Sequence, residues 1–94
     1  MPFEKVLQEI REKIRQENYV VTIHADEEMD DDRLTILDVE DCILNGDILE
    51  RQQDRTTGES KYRIRGYSLE GEPMETLVKL GVTGKVVILT VYAL

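Results

Sequence analysis

Lys61, Arg63, Arg65 and Tyr67 occupy alternate positions in the segment KYRIRGY. Alternate residues of a strand point to one face, so these four side chains form a single polar row, with Tyr62 and Ile64 turned the other way. Three cations and a phenol in line can clamp a phosphate and stabilise charge during phosphoryl transfer. The same row also fits the solvated outer face of a strand, balanced by nearby acids, and such faces protect sheets from edge pairing. The second reading asks less of the sequence and is preferred.

His24 is the only histidine, placed where an apolar run ends and an acidic stretch begins. An imidazole titrates near neutral pH and can act as general acid or base. Its structural alternative is a half-buried side chain tying a strand end to a helix, with Glu28 one turn later as partner. If His24 belongs to a site, it should approach the Lys61–Tyr67 row or Tyr92 at the open rim of the sheet, because strand ends are where sites collect. The structural role is preferred. Thr90 and Tyr92, read by strict alternation, share a face with Val86 and Ile88, with the Tyr92 hydroxyl at the rim of the core.

Asp26, Glu27, Glu28, Asp30, Asp31 and Asp32 form a dense acidic run. A calcium loop needs a glycine at its sixth position and a late glutamate ligand, and neither is in place. Acids early in a helix are favoured by its dipole, so a solvated acidic face is expected. Docking of a basic partner is the functional alternative. The single cysteine, Cys42, cannot form an internal disulfide, which suits a reducing cytoplasm, and it cannot make a zinc site with one histidine. It lies on an apolar helical stripe as a small buried hydrophobe. No phosphate-binding glycine loop, nucleophile elbow or cysteine–histidine dyad is present, and nothing calls for a cofactor or metal.

The elements that must position these residues follow from periodicity. Pro2, then Phe3, Val6, Leu7, Ile10 and Ile14 at helical spacing, predict an amphipathic helix over residues 2–17. Tyr19–Ile23 reads as a short strand or extended segment, and His24–Asp32 as a short helix with only Ala25 and Met29 facing inward. Thr35 and Asp38 have capping-box spacing and open a helix over Thr35–Leu44, with Ile36, Val39, Cys42 and Ile43 as its stripe and Asn45-Gly46 as its stop. Period two then takes over: strands at Ile48–Gln53, Lys61–Tyr67, Met74–Leu80 and Lys85–Tyr92, separated by polar or glycine turns. The last is almost wholly apolar and β-branched, which predicts a strand central in the sheet and covered on both faces or nearly so. The expected fold is α+β, with helices on one face of a four-stranded, mainly antiparallel sheet. Its predicted core includes Val6, Leu7, Ile10, Val39, Ile43, Ile64, Val86 and Ile88.

The 94 residues fit one domain, 1–94, which buries roughly 60% of its extended-chain surface. No apolar run reaches the roughly 18 residues of a membrane span, and the start of the chain has no signal-peptide pattern. The net charge of −8 is uneven. Met1–Asp54 holds 16 acidic and 6 basic residues, and Arg55–Leu94 holds 4 acidic and 6 basic. The first half repels nucleic acid, while the second can present a local basic strip.

The run from Tyr19 to Tyr92 resembles the bacterial and phage domain family of unknown function numbered 4258. Matching positions are His24, Ala25, Met29, Leu34, Asp38, Val39, Gly71, Pro73, Thr90, Val91 and Tyr92. Glu28 and Asp32 stand where the family's two arginines are expected, and Glu75 where a second histidine is expected. The resemblance implies a layout like that of RelE-like ribonuclease toxins, and a small zinc-finger, antitoxin-like protein as partner. Two functions follow from it. One is a cytoplasmic protein-interaction module, an inactive relative of those toxins. The other is a metal-independent endoribonuclease toxin of a toxin–antitoxin pair acting on RNA. In the second, Lys61 or Tyr67 would deprotonate the 2′-hydroxyl and Arg63 and Arg65 would stabilise the phosphorane, with His24 and Tyr92 as further site candidates. The acidic substitutions favour the first.

Overall fold

The computed structural model describes residues 2–94. Helix α1 (Glu4–Arg15) buries Leu7, Ile10 and Ile14 on one stripe, carries Glu4 in its first turn and Lys13 and Arg15 in its last, as the helix dipole favours. Val6, expected in the core, is only partly buried at its margin. Strand β1 (Tyr19–Val21) is short because Thr22 ends it and caps the next helix: the Thr22 hydroxyl accepts from the Ala25 amide at 3.1 Å. Helix α2 therefore runs Ile23–Asp31, starting one residue before His24.

Helix α3 (Ile36–Asn45) has the capping box expected from Thr35 and Asp38, and Gly46 ends it. Asp38 does more than cap. Its second oxygen accepts from the Leu69 amide at 2.9 Å, pinning the loop after the third strand to the start of α3. Burial opposes the charge on Asp38, but the bonds from Thr35 and Leu69 outweigh it and hold the carboxyl below its ordinary range. At the other end of α3, Arg11 of α1 donates to the carbonyls of Ile43 at 3.2 Å and Gly46 at 2.7 Å, satisfying acceptors the helix leaves open.

Four longer strands follow: β2 (Asp47–Gln53), β3 (Ser60–Tyr67), β4 (Pro73–Leu80) and β5 (Val86–Ala93). The sheet has five strands, in the order β1-β5-β4-β3-β2. The expectation of four misses β1, which pairs parallel with β5 from Tyr19↔Val86 to Val21↔Ile88. β5 is an interior strand, flanked by β1 and β4, as its apolar run predicts. β4 is the middle strand, and β5 buries Val86, Ile88 and Val91 while the residues between them stay half-buried. Its apolar run reflects partial cover on the outer face, not a second layer.

The core lies between the helices and one face of the sheet. Ile10, Ala25, Met29, Val39, Cys42 and Ile43 meet Ile64, Met74, Val78, Val86, Ile88 and Val91. Gly66 allows the closest approach: a Cβ there would sit 2.7 Å from the Cys42 carbonyl oxygen, so α3 rests almost on the β3 backbone. Burial pushes the Cys42 thiol up to about 12, consistent with an inert core position.

Two irregularities decide what the other face carries. Between β2 and β3, Ile48 pairs with Ile64 and Glu50 with Arg63, leaving Leu49 as an extra residue. Between β4 and β5, Leu77 pairs with Thr90 and Val78 with Ile88, leaving Leu89 extra. Each bulge reverses the in–out alternation beyond it. Val91, not Tyr92, therefore joins Val86 and Ile88 in the core, and Tyr92 turns to the outer face together with Glu50.

Candidate functional site: a carboxylate clamp on the outer sheet face

β3 and β4 pair without interruption, so Arg65 lies directly opposite Glu75, and Glu75 directly opposite Tyr92 on β5. The three side chains meet. Glu75 Oε2 accepts from Arg65 Nε at 2.7 Å and from Arg63 Nη1 at 3.0 Å, and its Oε1 accepts from the Tyr92 hydroxyl. On the far side, Arg63 Nε donates to Glu50 Oε1 at 3.0 Å. The result is a line of alternating charge across four strands: Glu50, Arg63, Glu75, Arg65, closed by a phenol.

Glu75 is the hub and is only 2% exposed, although the helices of the described residues pack on the opposite, core face of the sheet. Its shield is the row of side chains that bind it. Burial alone would raise its pKa, but the bonds from Tyr92, Arg65 and Arg63 outweigh that and hold the carboxyl below its ordinary range. Tyr92 moves oppositely: donating to Glu75 and losing hydration both raise its pKa, so the phenol keeps its proton. The bonds to Glu50 and Glu75 likewise tighten the proton hold of Arg63.

The sequence-derived row is thus divided. Arg63 and Arg65 converge on Glu75, and Tyr92 joins them from β5. Lys61 lies farther along β3, 4.0 Å from Asp54, the residue that also orders the β2–β3 turn by accepting from the Thr56 and Thr57 amides. Lys79 on β4 pairs with Glu59 at 2.7 Å. Tyr67 ends the row, exposed, opposite Pro73.

His24 stands elsewhere. Its side chain is 68% exposed, with Nε2 3.3 Å from Glu28 Oε1. It is neither buried, as a structural role predicts, nor in contact with the row, as a site role predicts. The Glu28 partner is the one expected from helical spacing, and it leads back to β5: the same Glu28 oxygen accepts from the Val91 amide at 3.1 Å. One turn later, Asp32 accepts from the Ala93 amide at 2.7 Å. The acidic run is therefore not wholly a solvated face. Two of its carboxylates close the stretch of β5 edge that lies beyond the short β1.

Sequence reasoning missed Glu75 and Glu50 as parts of the site. Glu75 was within reach. The turn between β3 and β4 is closed by the Ser68 amide on the Glu72 carbonyl and the Gly71 amide on the Ser68 carbonyl. Counting outward from it pairs Tyr67 with Pro73 and Arg65 with Glu75, an opposite-charge cross-strand pair. Glu50 was not within reach, because the Leu49 bulge has no glycine to mark it.

Comparisons with known proteins add one finding. The family model described as Domain of unknown function (DUF4258) matches residues 21–93, and the chain belongs to that family. The match spans every element from the end of β1 to β5, with α1 lying before it. No curated protein and no solved structure gives a match.

Proposed function

We propose that this family member is a non-catalytic protein-interaction module of the cytoplasm, with a small protein as its partner. The observation that carries the reading is the occupancy of the cationic row. Metal-independent RNA cleavage needs a group free to take the 2′-hydroxyl proton and cations free to meet the phosphorane. Here Arg63 is shared between two carboxylates, Arg65 is turned onto Glu75 and Lys61 faces Asp54 at 4.0 Å, so the exposed Tyr67 is left beside cations already engaged, while Tyr92 holds its proton against Glu75. The two arginines and two glutamates sum to no net charge, so the face offers a polyanion little attraction. The −8 charge of the chain works in the same direction. Among the described residues no helix is long and apolar enough to cross a membrane.

The test is direct. Purified protein is incubated with end-labelled messenger RNA, alone and on translating ribosomes, and expression is induced in growing cells. The expected result is intact RNA and unchanged growth. RNA cleavage that disappears in Arg65→Ala would overturn the reading in favour of an endoribonuclease toxin.

A further inference from the structure

The two edges of the sheet are treated differently. On the β5 side, β1 covers three residues and Glu28 and Asp32 accept the next two free amides, so β5 is covered and only the three-residue β1 ends the sheet there. On the other side, the seven-residue β2 ends the sheet, and its outward-facing backbone groups have no strand partner among the described residues. An open edge of that length is a template for another strand. Beside it, between α1 and β2, runs a groove of about 440 Å³ whose apolar lining includes Phe3, Leu7, Ile48 and Leu49. Leu49 is the bulge residue and is 43% exposed, so the irregularity that sends Glu50 to the clamp leaves a leucine at the groove.

We infer that β2 and this groove dock an extended, basic segment of a partner protein, which adds a strand to the sheet and places an apolar side chain against Leu49. The inference rests on the interaction-module reading and names its surface. The required chemistry comes from three features. Unpaired backbone groups select an extended chain. The apolar lining selects one aliphatic anchor. Charge selects the sign: the groove lining sets Glu4 and Asp47 against one cation, Arg11, a balance of −1, and the two carboxylates have no ion pair among the described residues, while the Arg11 guanidinium donates to the carbonyls of Ile43 and Gly46. The same elements belong to the strongly acidic half of the chain. A second copy fits poorly, because antiparallel pairing of β2 with itself about its middle sets Glu50 against Glu50.

The test uses a blocked heptapeptide alternating lysine with valine and isoleucine, and the same peptide with glutamate for lysine. Each is titrated into isotopically labelled protein and amide shifts are followed. The lysine peptide should shift Asp47–Gln53 and Leu7, with an affinity that falls as salt rises, and the glutamate peptide should not. Leu49→Ser should weaken binding about fivefold or more without lowering the melting temperature. Shifts confined to α2, no shifts at millimolar peptide, or self-association through β2 would each overturn the edge proposal. RNA cleavage by the same sample would remove the module reading alone, so the two failures are separable.

Discussion

Replacing Glu75 with Gln tests whether the clamp is held by charge. The side chains are nearly isosteric, so packing is kept. Glutamine retains one oxygen for Tyr92 or one arginine and turns an amide donor towards the other. Charge-assisted hydrogen bonds contribute about 1.5–3 kcal/mol each where partners are desolvated. Arg65 is 52% exposed and regains water when released, so the loss must be discounted well below the sum. A net destabilisation of about 2 kcal/mol is expected, lowering the melting temperature by about 10 °C in a domain of this size.

The effect must also depend on pH in one direction. The folded-state pKa of Glu75 lies below its ordinary value of 4.5. The clamp therefore adds stability that is fully present above that ordinary value and is lost as pH falls through the folded value. Urea midpoints for wild type and Glu75→Gln, followed by circular dichroism from about pH 7 to about pH 3, should differ most near neutrality and converge in acid. Other carboxylates titrate in the same range, but they are common to both proteins and cancel in the difference. An equal gap at both ends of the range, or no gap at neutral pH, would refute the assignment of Glu75 as a charged hub.

Ile88→Ala should cost about 2–4 kcal/mol by chemical denaturation, because Ile88 is fully buried against the helical layer and cannot be refilled without moving β5. Glu28→Ala should cost about 1–3 kcal/mol by leaving the buried Val91 amide without an acceptor, whereas His24→Ala should stay within about 0.5 kcal/mol, since the exposed imidazole contributes only a surface contact. Arg33 has φ +56° just past the end of α2, and Arg33→Gly should raise stability by about 0.5 kcal/mol, read as a higher urea midpoint.

Local signals carried most of the fold. The Thr35–Asp38 box, the Asn45-Gly46 stop and the period-two segments each act within a few residues, and the strands and helices stand close to where those signals put them. β1 escaped as a sheet member because three residues paired in parallel leave no mark in the sequence, and the parallel partner lies 67 positions away at Tyr19↔Val86. The candidate site divides along the same line. Lys61, Arg63 and Arg65 share a face because β3 alternates without fault, and alternation alone finds them. Glu50 and Tyr92 lie past bulges at Leu49 and Leu89, and alternation counted from Ile48 or Ile88 puts both in the core. A bulge at glycine announces itself, whereas a bulge at leucine looks like an ordinary strand residue. The two bulges flank the network on opposite sides, each turning one polar side chain towards the arginines and Glu75. The clamp is therefore written in the register of the assembled sheet. A cationic row read from one strand becomes a neutral, occupied face once its neighbours are in place, which is the observation behind the proposal of protein contact over RNA chemistry.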